Sequence, residues 1–150
     1  MDFMKRALFY AKKAYEAGEV PVGAVVVHDG RILAAAYNTI ERDGSVLSHA
    51  ELKAISLAEK KIGGWRLSDC DIYVTLEPCP MCAGAIINAR IRRLYFGAYD
   101  DKGGSGYIFE RDGYNHKTEC TGGVLESECT EILKGFFAER RKGGKLKVES

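Results

Sequence analysis

The sequence predicts an α/β fold, a three-layer α-β-α sandwich around a central mixed sheet of about five strands. Three observations lead there: an apolar stripe of helical period at the start, a β-branched run that turns back at an Asp-Gly pair, and a strand, helix, strand succession in the middle of the chain. The turn makes an antiparallel pair and the succession a parallel one, so the sheet is mixed.

Phe3, Ala7, Tyr10, Ala11, Ala14 and Ala17 recur at helical spacing and Gly18 ends the run, which gives a first helix. Residues 22–27 form the β-branched run, Asp29-Gly30 is a tight hairpin signal, and residues 31–36 return as a second strand. Residues 38–48 read as a polar loop. From residue 49 to about 60, Leu52, Ile55 and Ala58 fall at helical intervals, with Ser48 as the N-cap and Gly63-Gly64 as the stop. Residues 71–76 form a buried strand, Pro78 and Pro80 break it, and residues 81–89 make a third helix before a strand at 91–95. The chain is then glycine-rich and polar from 97 to 123, with a short strand near 117–121. Cys129, Ile132, Leu133, Phe136 and Phe137 form the stripe of a final helix, and residues 142–150 read as a loose Lys/Gly tail. With no internal repeat and no linker, residues 1–150 are expected to be one domain.

Composition narrows the classes. The chain is 46% hydrophobic and 29% charged, as globular proteins are, and no apolar run approaches the ~20 residues of a membrane span. The stretch from Met1 to Arg6 lacks the pattern of a secretory signal, so a cytoplasmic protein is expected. Five cysteines are an odd count, and a reducing compartment disfavours disulfides, which leaves burial or thiolate chemistry to account for them. A net charge of +1 gives no overall nucleic-acid footprint. Basic residues nevertheless gather at Arg90, Arg92 and Arg93, and again at Lys134, Arg140, Arg141, Lys142, Lys145 and Lys147, a local face able to meet phosphates.

The chemistry centres on "TLEPCPMCAGAI", residues 75–86, which sets Cys79 and Cys82 three apart at a strand-to-helix junction. A glutaredoxin-like redox pair looks similar locally, but such folds place the pair after their first strand and use a later cis-proline. Here the prolines are Pro21, Pro78 and Pro80. A zinc site needs three or four nitrogen or sulfur ligands. His28, beside the hairpin turn, and His116, in the polar segment, read as solvent-facing or structural. His49 instead opens a helix one unit before the cysteine pair, and helix N-termini over one sheet edge can converge His49 on Cys79 and Cys82. Three ligands leave a fourth position for water, the mark of a catalytic zinc. Cys70, Cys120 or Cys129 could close the site as a structural one instead, although Cys70 and Cys129 read as packing residues and Cys120 is indeterminate. Glu51 stands two positions after His49, so it misses the metal yet reaches the space beside the water, which suits a general acid/base.

His49-Ala50-Glu51 together with Pro78-Cys79-Pro80-Met81-Cys82 matches the H-x-E and P-C-x-x-C signature of zinc nucleobase deaminases. The longer stretches "PVGAVVV", "TLEPCPMCAGAI", "RIRRLYFGAYD" and "FFAERR" resemble the bacterial tRNA adenosine deaminases, members of the cytidine deaminase-like superfamily, over roughly residues 3–141. The resemblance implies one Zn2+ per chain on His49, Cys79 and Cys82, with Glu51 carrying protons. The reaction implied is hydrolytic deamination of adenosine to inosine at the wobble position of a tRNA anticodon loop, by a homodimer. It also implies a base contact for Asn38 and positions near the RNA backbone for Asp100 and Lys102. Two stretches depart from the family pattern. Ser45-Val46-Leu47-Ser48 stands where an Asp-Pro pair is usual, and "GGSGYIFERDGYNHK" replaces a longer Gly-Ser-Leu stretch. Both border the substrate mouth in the family, so a deaminase of a free nucleobase or nucleoside such as guanine is the second expectation. A catalytically inactive, zinc-stabilised nucleic-acid-binding module is the third, and Glu51 speaks against it.

Overall fold

The computed structural model describes the backbone of residues 2–148 and the side chains of residues 2–142. The elements follow in the order α1 (Phe3–Glu16), β1 (Gly23–His28), β2 (Arg31–Tyr37), α2 (Ile40–Asp43), α3 (Ala50–Ile62), β3 (Cys70–Leu76), α4 (Pro80–Asn88), β4 (Arg93–Ala98), β5 (Glu119–Thr121) and α5 (Glu126–Val148), with a 3-10 turn at Gly106–Glu110. The sheet order is β2-β1-β3-β4-β5. β1 is antiparallel to both β2 and β3, whereas β3, β4 and β5 run parallel. This is the expected mixed five-stranded sheet. It also means that β2, β3 and β4 all end at the same sheet edge.

Side chains alternate across the sheet, as strand geometry requires. Ala24 and Val26 of β1, Ile72 and Val74 of β3, and Leu94 and Phe96 of β4 face one core with Ala50, Ala54 and Ala58 of α3 and Ile86 and Ile87 of α4. Val25, Val27, Tyr73, Tyr95 and Ala98 face the other, with Met4, Ala7 and Leu8 of α1 and Cys129 and Leu133 of α5. Burial on both faces explains why β1 reads as a continuous apolar run rather than as an alternation. Gly97 lets α5 approach β4: a Cβ there would fall 2.7 Å from Cys129 Cβ, so Cys129 is a packing residue.

The differences from the sequence reading lie between the elements. Residues 40–43 form the short helix α2 inside the expected polar loop, its leading amides capped from outside by the buried Glu19, whose carboxylate accepts from Glu41 and Arg42 N–H at 3.0 and 2.9 Å. The N-cap of α3 is His49 rather than Ser48. Ser48 Oγ donates instead to Asp43 Oδ2 at 2.7 Å. β4 begins at Arg93, because the carbonyl of Ile91 is taken by Thr118 Oγ1 at 2.7 Å and contacts His116 Nε2 at 2.8 Å. The helix of α5 continues through Val148 where a loose tail was expected, and residues 149 and 150 of that tail lie outside the described residues.

Candidate active site

Two helix N-termini meet over the edge where β2, β3 and β4 end. His49 is the N-cap of α3, with extended backbone at φ −73° and ψ 145°. Cys79 is the N-cap of α4, Pro80 takes the first helical position with its φ already helical, and Cys82 follows on the first turn. His49 Nδ1 lies 3.8 Å from Cys79 Sγ and 3.4 Å from Cys82 Sγ. All three ligand atoms fall within 4.8 Å of one another, the metal-capable group found among the described residues. A tetrahedral ion with bonds of about 2.0–2.3 Å sets its N and S ligands roughly 3.5–3.8 Å apart, so the donor set and the spacing fit zinc.

The segment after β2 holds His49 in place. Asn38 is buried, and its Oδ1 accepts from Ala50 N–H at 2.8 Å, one of the unpaired amides that open α3. The oxygen must face that donor, which turns the amide nitrogen the other way. Thr39 N–H donates to Ser48 O at 3.0 Å, and Thr39 Oγ1 donates to Asp43 Oδ2 at 2.6 Å. Hydrogen bonds from Thr39, Ser48 and Arg42 hold the Asp43 carboxyl down at about 2. Lys53, one helical turn past His49, donates to Thr39 Oγ1 at 2.7 Å and ties α3 to the same cluster.

The electrostatics of the group are those of thiols and an imidazole competing for protons. Hydrogen bonds from Cys82 and His49 pull the Cys79 thiol down to about 4. Cys82 moves the other way, because Cys79 takes the thiolate and because it is buried. The His49 imidazolium is favoured by its bond to Cys79. Glu51 is 4% exposed, and burial pushes its carboxyl up to about 7. It is therefore no surface helix residue: the first turn of α3 carries it inward beside Cys82, close to the His49, Cys79 and Cys82 group without belonging to it.

The other expected residues sort differently. Asp100 and Lys102 stand on the segment after β4, outside the cluster; Asp100 Oδ1 accepts from Lys102 and Gly103 N–H, both at 3.1 Å, and Lys102 is exposed. His28 ends β1 at the hairpin, and His116 serves the Ile91 carbonyl. Burial raises Cys120 to about 11 and Cys129 to about 12, as befits thiols used for packing. Glu77 escaped the sequence reading. Its carboxylate accepts from Asp100 N–H at 3.0 Å and Gly106 N–H at 2.8 Å, and the signal for it was an acidic residue inside the cysteine motif facing a Gly-Gly-Ser-Gly run.

An α/β sandwich that brings one histidine and two cysteines together at helix N-termini, with a buried carboxyl beside them, defines a hydrolytic deaminase. The profile of the MafB19-like deaminase family matches residues 1–141. The tRNA-specific adenosine deaminase of Bacillus subtilis (strain 168) is 49% identical over 144 residues, covering 93% of this chain and 89% of that protein. A solved structure from a study of A-to-I editing by tRNA:A34 deaminases superposes with a TM-score of 0.84 at 48% identity, over 87% of this chain and 98% of that one. The guanine deaminase of Bacillus subtilis reaches a TM-score of 0.63 at 34% identity, over 93% of this chain and 92% of that one. The chain belongs to the MafB19-like deaminases and, within them, to the family of tRNA-specific adenosine deaminases.

Proposed function

We propose that this chain is a zinc-dependent hydrolase that converts adenosine to inosine at the wobble position of a tRNA anticodon loop. The observation that carries the reading is the convergence of His49, Cys79 and Cys82 within 4.8 Å, with Glu51 buried beside them, in a chain 49% identical to a tRNA-specific adenosine deaminase. His49, Cys79 and Cys82 would hold the zinc. When bound, zinc lowers the pKa of a water to roughly 7 and so supplies a nucleophile at neutral pH.

The remaining work falls to the chain's own residues. Glu51, kept near neutrality by burial, can both take and give a proton. It takes one proton of the attacking water and delivers it to N1 of the adenine as C6 becomes tetrahedral, then takes the proton of the new C6 hydroxyl and passes it to the amino group, which leaves as ammonia. Water and adenosine thus give inosine and ammonia, with no other reactant. Asn38 presents its amide nitrogen to the base while its oxygen caps α3. The target is turned out of a single-stranded loop, where little stacking is lost. Asp100 and Lys102, on the segment after β4, stand toward the RNA backbone.

We further read the protein as one domain, cytoplasmic, and working as a homodimer. Among the described residues no helix is long and apolar enough to cross a membrane. The layer of α3 and α4 supports the dimer, since Leu57 and Met81 lie exposed on it and a Cβ on Gly84 would meet open space. The buried Glu51 disfavours an inactive binding module, and the higher identity and TM-score to tRNA deaminases disfavour a free base as substrate.

The test is ammonia release by zinc-loaded protein from three substrates: an anticodon stem-loop with adenosine at the wobble position, free adenosine, and free guanine. Turnover confined to the stem-loop is expected. An inert stem-loop beside turnover of guanine or adenosine would replace this reading with that of a free-base or nucleoside deaminase.

A further inference from the structure

The segments after β2, β3 and β4 leave the sheet at one edge, and the first two carry His49, Cys79 and Cys82. The third, residues 99–106, is fastened to the second by one carboxylate, which takes both its ends, and by two bonds to the Pro78 carbonyl. Glu77, two positions before Cys79, accepts from the N–H of Asp100 at one end of this loop and of Gly106 at the other. The Glu77 N–H donates to Ala98 O at 2.8 Å, and Pro78 O receives both Ser105 N–H at 3.1 Å and Ser105 Oγ at 2.5 Å. Ser105 is fully buried. The loop is thereby closed against the residue that precedes Cys79.

The loop's composition answers to that carboxylate. A Cβ on Gly104 would collide with the Glu77 carboxylate and lie 2.5 Å from Asp100 O, and a Cβ on Gly106 would lie 2.8 Å from Glu77 Oε2. The run Gly103-Gly104-Ser105-Gly106 thus leaves room for one acidic side chain, and the short Asp100 turn that precedes it is what the clasp holds.

We propose that Glu77 is a positioning residue, fixing residues 99–106 as a wall of the active site in register with Cys79 so that the loop meets the RNA already ordered. The inference rests on the tRNA reading above for the identity of the substrate, and on the hydrogen bonds alone for the clasp. Two charge-assisted bonds from backbone amides hold the loop's two ends to Glu77, and glutamine keeps only one acceptor while turning an N–H2 toward an N–H. A loop ordered for only part of the time lowers the apparent affinity by the fraction that is competent.

The experiment uses the zinc-loaded full chain and compares Glu77→Gln with the wild type. Amide hydrogen exchange at Asp100 and Gly106 should accelerate, metal content should hold, and KM for the stem-loop should rise roughly tenfold or more. The value of kcat at saturation should change by less than about threefold, a split that a general loss of structure does not give. Gly106→Ala alone should raise KM in the same way, and should add nothing once Glu77→Ala has removed the side chain it strikes. A KM within about twofold of wild type in Glu77→Gln, or additive effects of the two alanine substitutions, would overturn the proposal. So would loss of zinc from Glu77→Gln, which would make Glu77 a support of the metal group and not of the loop. A wild-type protein inert toward the stem-loop would sink the substrate reading instead, and amide exchange would still decide whether Glu77 holds residues 99–106.

Discussion

The capping of α3 by Asn38 and its proposed contact with the base can be separated by substitution. Its oxygen accepts from the buried Ala50 N–H at 2.8 Å and its nitrogen faces away, toward the base in the proposed function. Asn38→Ala leaves that amide without a partner, at a cost of about 1–3 kcal/mol. For a chain of this size each kcal/mol lowers the melting temperature by about 2–4 °C, so a drop of roughly 2–12 °C is expected. Zinc affinity should fall with it, because Ala50 directly follows His49. Asn38→Asp keeps an acceptor for the same amide, at a helix start where negative charge is favoured, and replaces the nitrogen donor by oxygen. This variant should melt within about 2 °C of wild type and still lose roughly tenfold or more in kcat/KM on the stem-loop. Thermal melts followed by steady-state ammonia release on both variants provide the assay. An alanine variant that melts with the wild type would refute the capping role. Full turnover by the aspartate variant would refute the contact with the base.

Glu51→Gln should keep its metal and its fold while turnover drops about 10²–10⁴-fold, since it removes a proton carrier and no ligand; metal content and ammonia release check both halves. Cys82→Ala should lose zinc binding and thermal stability together, and a melt that zinc addition still raises would reject the ligand assignment. Asp43 is held at about 2 against its ordinary 3.8, so its contribution to stability is complete above 3.8 and disappears as pH falls through about 2. Asp43→Asn should remove that acid step from the loosening of residues 39–48, as followed by amide exchange of the loop across this pH window.

The hydrophobic period placed α1, β1, β2, α3, β3, α4 and the start of α5 to within a few residues, because each buries a face whose spacing is written locally. The helix α2 escaped because it owes its existence to a distant residue. Four residues cannot sustain a helix, and Glu19 supplies the caps from 22 and 23 positions away. Ser48 was misread as the cap of α3 for a similar reason. Its hydroxyl has a better acceptor in Asp43, while the amides of α3 are served by Asn38 across 12 positions of sequence.

The chemistry of the site was written in the chain. The grouping of His49, Cys79 and Cys82, with Glu51 two positions after His49, could be read from short motifs, because a group able to hold a metal needs particular atoms at particular helix starts. The burial that lifts the Glu51 carboxyl to about 7 was not written there, since it comes from packing against residues far away in sequence. Glu77 makes the same point most sharply: in the sequence it is one acidic residue in a motif, and only the parallel pairing of β3 with β4 sets it opposite the glycines of residues 103–106. The sequence by itself determined which residues offer metal-ligating atoms and which carboxyl stands beside them. The tertiary structure alone decided which loops are held against them, because a hydrogen bond depends on distance in space, and local pattern records only distance along the chain.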